Sequence, residues 1–147
     1  MVTFKMFIET GFEDDKHEFR SKVNSLLPTL AEHGIMIKAN DGKYMFTEKG
    51  GEAFFYLMHR LIIEDCVGVD QGSVLESCGL LRFRDKDEYM ITKKGIYATL
   101  SYLIQYEITN EDIIGIIKEY WVQCYECDDS CYWRIKEWGL DYESNYV

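Results

Sequence analysis

Displacing the chain by 45 residues lays one stretch over another without a gap, so one local structure has to serve in two places. Over residues 30–53 and 75–98, Leu30 falls on Leu75, Gly34 on Gly79, Tyr44 on Tyr89 and Met45 on Met90. Thr47 falls on Thr92, Lys49 on Lys94, Gly50 on Gly95 and Ala53 on Ala98. Hydropathy repeats where identity does not: Ile35, Met36 and Phe46 meet Leu80, Leu81 and Ile91. Self-similarity at a fixed period marks a supersecondary unit used more than once.

The pattern within each copy predicts helix, glycine, hairpin, helix. Residues 13–33 carry Phe19, Val23, Leu26, Leu27 and Leu30 near helical spacing, with Pro28 placed to kink or split the helix and Gly34 to stop it. Residues 35–39 and 43–46 read as strands joined by Asn40-Asp41-Gly42, residues that tolerate positive φ. Thr47 is placed to cap a helix reaching about residue 64. In the second copy, residues 70–78 form a short helix stopped by Gly79. Residues 80–84 and 88–91 pair around Asp85-Lys86-Asp87, and Thr92 caps a helix to about residue 106.

This order resembles the C-terminal half of a winged helix. Tyr44-Met45-Phe46-Thr47-Glu48-Lys49-Gly50 is similar to the junction after the wing in bacterial regulators of the MarR and PadR type. The resemblance spans about residues 13–106. It implies an α+β fold of tandem winged-helix-like units, each a helix, a two-stranded antiparallel hairpin and a helix, followed by C-terminal helices. The first unit has one clear helix before its hairpin where a full winged helix has three.

Two segments lie outside the repeat. Val2, Phe4, Met6 and Ile8 alternate with polar residues and predict a strand. After Thr109, a capping residue, Ile113, Ile114, Ile116, Ile117, Tyr120, Trp121 and Cys124 recur at helical spacing. We read residues 1–147 as one domain with copies at about 13–65 and 66–106, and 107–147 as an acidic, aromatic helical region.

Hydrophobic residues make up 47% of the chain and one proline is present, which suits a packed core rather than a disordered chain. No apolar run approaches a membrane span, and the first ten residues lack the basic start and apolar stretch of a secretion signal. The expected setting is therefore intracellular and cytoplasmic, in a host cell for a viral or mobile-element protein, with the five cysteines as thiols. The net charge of −10 is uneven: residues 1–106 hold 16 acidic and 13 basic side chains, residues 107–147 hold 10 and 3. That asymmetry speaks against nucleic acid or an anionic membrane meeting the C-terminal region.

Four constellations bear on function. Cys124, Cys127 and Cys131 have spacing suited to zinc but lack a nearby fourth ligand, so neither metal nor cofactor is expected. No glycine-rich phosphate loop, His-Glu-x-x-His or Gly-x-Ser-x-Gly is present, and no catalytic residue is assigned. His59 reads as a surface or partly buried side chain rather than a base. Arg82, Arg84, Lys86, Lys93 and Lys94 surround the second hairpin, and wings of this kind contact DNA backbone. Glu126, Asp128, Asp129, Tyr132, Trp138, Asp141, Tyr142 and Glu143 combine carboxylates with aromatic anchors suited to a basic protein surface.

The leading expectation is a non-enzymatic protein-binding module that engages a basic, nucleic-acid-binding partner. It resembles small acidic anti-restriction, anti-CRISPR and immunity inhibitors in size, charge and lack of catalytic motif. The alternative is a winged-helix DNA-binding regulator in which the acidic region serves homodimerisation. The third is a cysteine-based metalloprotein or enzyme.

Overall fold

Gly34 and Gly79 take φ of 77° and 80°, the left-handed conformation that ends a helix and that side chains enter only with strain. The bonds around them recur at the 45-residue spacing. Gly34 and Ile35 N–H donate to the Ala31 and Leu30 carbonyls; Gly79 and Leu80 N–H donate to those of Glu76 and Leu75. A computed structural model describes residues 2–11, 17–63, 71–85, 88–106, 108–126 and 139–140. Its elements are α1 (Phe4–Met6), α2 (His17–Glu32), β1 (Met36–Lys38), β2 (Tyr44–Phe46), α3 (Glu48–Ile63) and α4 (Gln71–Ser77). They continue with β3 (Leu81–Asp85), β4 (Glu88–Ile91), α5 (Lys93–Gln105), α6 (Asn110–Glu126) and β5 (Gly139–Leu140). The class is α+β.

Each copy places an antiparallel hairpin directly before a helix. In the first, Met36 pairs with Phe46 and Lys38 with Tyr44. Gly42, at φ 85°, closes the turn by donating to the Ala39 carbonyl, and Asp41 Oδ1 accepts the Lys43 N–H. In the second, Leu81 pairs with Ile91, Phe83 with Tyr89 and Asp85 with Glu88, so Arg84 is the extra residue of a bulge. Asp85, expected in the turn, is thus a strand residue, because the bulge carries pairing one step further. β5 adds to β4 in parallel, Gly139 opposite Met90 and Leu140 opposite Ile91. A strand therefore lies within the C-terminal region expected to be helical; Gly139 is a poor helix former, and pairing with β4 satisfies the backbone instead.

The helices interleave. α2, which precedes the first hairpin, packs against α5, which follows the second; α3, which follows the first, packs against α4, which precedes the second. α6 then covers α3. The core holds Val23, Leu26, Leu27 and Leu30 of α2, Phe54, Leu57 and Met58 of α3, and Leu100 and Ile113 of α5 and α6. Each such side chain, buried fully, contributes about 1.5–3 kcal/mol. α2 runs through Pro28 without division. The proline leaves the Asn24 carbonyl without its helical donor, while the leucines on either side are sealed in the core.

The N-terminal segment is helical, not a strand. Thr3 Oγ1 accepts the Met6 N–H at 3.2 Å and starts α1, which runs on into a π-helical turn over Phe7–Gly11. Strand alternation would put Val2, Phe4, Met6 and Ile8 on one face. Instead Phe4, Phe7 and Ile8 are buried, while Val2 and Met6 are 41% and 49% exposed. Helical spacing buries two phenylalanines, and both meet the Tyr102 ring edge-on, at 5.2 and 5.5 Å.

Candidate functional site

The motif shared by the copies builds one corner twice. Thr47 Oγ1 donates to the Gly34 carbonyl at 2.7 Å and accepts the Gly50 N–H at 3.0 Å. Thr92 Oγ1 donates to Gly79 at 2.6 Å and accepts from Gly95 at 3.0 Å. The threonine thus caps one helix and ties it to the corner that ended the previous one. Thr47 and Thr92 N–H donate to the Ile35 and Leu80 carbonyls, drawing strand and helix so close that a Cβ on Gly50 or Gly95 would collide with those same carbonyls.

The third shared residue, the lysine, meets different surroundings. Lys49 Nζ lies 4.5 Å from the Trp121 ring centroid, and Trp121 Cη2 lies 3.7 Å from where a Gly34 Cβ would sit. Beside them Lys118 Nζ stands 3.2 Å from His33 Nδ1, so α6 closes this corner with two side chains. At the second corner the Lys94 stem folds back on Gly79, with Cδ 3.6 Å from the equivalent Cβ position. Lys94, Lys5, Ile8, Glu9, Ser77 and Cys78 line a cleft of about 400 Å³ there. Lys5 and Glu9 form an ion pair at 3.9 Å.

The sequence candidates are placed as follows. Arg82 is exposed on β3, Arg84 is the bulge residue of that strand, and Lys93 and Lys94 begin α5; Lys86 lies outside the described residues. Lys94 thus belongs to the cleft. Glu126 is the last residue of α6. Asp128, Asp129, Tyr132, Trp138, Asp141, Tyr142 and Glu143 lie outside the described residues, as do Cys127 and Cys131; Cys124 lies in α6. His59 is 5% exposed, not a surface side chain. It shares α3 with the buried Glu52, and its ring stands 6.2 Å from that of Tyr56.

The cleft escaped the sequence reading. Lys5 falls within the segment read as a strand, Glu9 lies just beyond it, and Cys78 ends the short helix of the second copy. The available signal was the repeat itself, which sets Lys94 against Lys49. Among the described residues no helix is long and apolar enough to cross a membrane. Comparison with models of protein families, with curated proteins and with solved structures gives no match for this chain.

Proposed function

We propose that the chain is a non-catalytic protein-binding module, an acidic inhibitor in the manner of anti-restriction, anti-CRISPR or immunity proteins, directed at a basic protein surface. The observation that carries this is the outer face of α6. Glu111, Asp112 and Glu119 are exposed while Ile113, Ile114 and Ile117 are buried, so the helix turns carboxylates outward as its isoleucines hold α3. The same helix leads into the segment with Asp128, Asp129, Asp141 and Glu143. Carboxylates beside aromatic anchors match a surface rich in Lys and Arg, with charge setting association and the rings setting lifetime.

The test is capture of a basic partner by the wild type and by Asp128→Lys/Asp129→Lys, both checked for fold, with rates measured against salt. Association slowed by charge reversal and by salt supports the proposal. Equal rates in both proteins, or a partner held only by the hairpins, overturns it.

One observation favours a second reading, duplex DNA binding: Arg82 is exposed on a hairpin that sits between two helices. Nanomolar binding of a duplex near physiological salt, weakened by Arg82→Ala and Arg84→Ala with a shallower salt dependence, would put this reading first.

A further inference from the structure

The two hairpins end on matching strands and differ in what lies beside them. Tyr44-Met45 recurs as Tyr89-Met90, followed by Phe46 and Ile91. β5 lies along β4, with Gly139 opposite Met90 and Leu140 opposite Ile91, so the second sheet runs β3-β4-β5. Among the described residues the first sheet stops at β2. Thr47 N–H donates to the Ile35 carbonyl and Ala39 N–H to the Lys43 carbonyl, so Lys43, Met45 and Thr47 turn their backbone groups to β1. The Tyr44 carbonyl and the Phe46 N–H turn the other way, and no group among the described residues bonds them. The equivalent groups of β4, on Tyr89 and Ile91, are those turned to β5.

We infer that the outer edge of β2 receives an extended segment of another protein, paired with it in parallel as β5 pairs with β4. An open strand edge is a template for a further strand; backbone pairing supplies affinity, and side chains at alternate positions select the sequence. The register of β5 sets that selection: a small residue opposite Met45 and an aliphatic one opposite Phe46, as Gly139 and Leu140 stand to Met90 and Ile91. Phe46 is 5% exposed and Ile91 1%, so each edge sets an apolar core residue beside the incoming aliphatic one. Met45, half-buried, is left for the small residue to cover. The chain's own β5 gains no pairing by moving to β2, in its own molecule or in a second copy, because each bond made there is one lost from β4. The occupant is therefore a different polypeptide. This edge belongs to a different element from the acidic face of α6, and the inference stands whether or not that face binds a protein.

The experiment is amide NMR with hydrogen exchange on the full chain, titrated with a free peptide of residues 135–143, Ile-Lys-Glu-Trp-Gly-Leu-Asp-Tyr-Glu. Before peptide is added, the Phe46 N–H is expected to exchange about tenfold faster than the Ile91 N–H, which faces β5. The peptide is expected to shift the Met45, Phe46 and Thr47 amides saturably and to slow exchange at Phe46. The same peptide methylated on its glycine nitrogen loses the bond to the Tyr44 carbonyl and is expected to bind about tenfold more weakly. The peptide carrying Leu140→Lys sets a charge beside Phe46 and is also expected to bind more weakly. The inference is overturned by a Phe46 N–H as protected as that of Ile91 in the free chain, or by the absence of saturable shifts at Phe46. It is equally overturned by shifts confined to Ile91 and its neighbours, where the peptide merely replaces β5, or by undiminished binding of the methylated peptide. The same shifts on concentrating the chain alone would assign the edge to a second copy and overturn its assignment to another protein.

Discussion

The hydroxyl of Thr92 donates to the carbonyl of Gly79 across 2.6 Å, joining the start of one helix to the end of another 13 residues earlier. The same oxygen accepts the Gly95 N–H. Thr92→Ala removes both bonds and is expected to cost about 1–2 kcal/mol, the upper range for a lost helix cap. Thr92→Ser keeps the oxygen and is expected to stay within about 0.5 kcal/mol of the wild type. Urea unfolding of both variants decides.

Glycine to alanine should act with opposite sign at two helical positions. A Cβ on Gly95 meets the Leu80 carbonyl carbon and oxygen inside contact distance, whereas one on Gly115 meets nothing within 4 Å. Gly115→Ala, in the interior of α6, is expected to stabilise by up to about 1 kcal/mol. Gly95→Ala forces strand and helix apart and is expected to destabilise by roughly 2 kcal/mol or more. Thermal melts showing the same sign for both would refute this account.

Tyr97 links α5 to α2: its hydroxyl donates to Asn24 Oδ1 at 2.5 Å, and Arg20 lies 5.2 Å from its ring centroid. Burial pushes its pKa up to about 12, against the lowering by Arg20 and the Asn24 bond. The folded state thus holds the phenolic proton more tightly than the unfolded chain, whose tyrosines ionise near 10. Stability from this group is intact below pH 10 and declines from pH 10 to about 12. In Tyr97→Phe that part of the alkaline loss disappears. Denaturation midpoints at pH 8 and pH 11 for both proteins measure it.

Lys49 and Trp121 should be energetically coupled. With Nζ 4.5 Å from the ring centroid, a double-mutant cycle on Lys49→Met and Trp121→Leu is expected to give about 0.5–1 kcal/mol of interaction. A coupling near zero would mean that Trp121 holds α6 by packing alone.

Thr99 is 0% exposed, and its Oγ1 has no hydrogen-bond partner among the described residues. Thr99→Val removes an unsatisfied hydroxyl at equal shape and is expected to stabilise by about 1 kcal/mol. A lower melting temperature would reveal a bond to that hydroxyl.

Legibility in the sequence followed the range of each interaction. The hairpins and their helices were readable because glycine, threonine and turn residues act within a few positions: Gly34, Gly42, Thr47 and Thr92 do what their chemistry predicts. The N-terminal segment misled because Val2, Phe4, Met6 and Ile8 fit two periods at once. Tertiary contact decided between them, since Phe7 as well as Phe4 finds Tyr102 on α5. The bulge at Arg84 and the parallel β5 depend on partners across a sheet, which no local pattern encodes. The cleft was hidden for the same reason. Its lysines stand 89 positions apart, and only the α1 helix brings Lys5 to Lys94.

The exchange of helices between copies makes each half incomplete without the other. With α2 on α5 and α3 on α4, each copy lends one helix to the other and borrows one back. A polypeptide holding a single copy would lack both borrowed surfaces, and a twin molecule would supply both. Neither copy is therefore self-sufficient: each helix pair that closes the core takes one member from either side of the repeat. Standing on one chain, the two copies need not be identical: Trp121 of α6 covers the glycine at one corner, and the Lys94 stem covers it at the other.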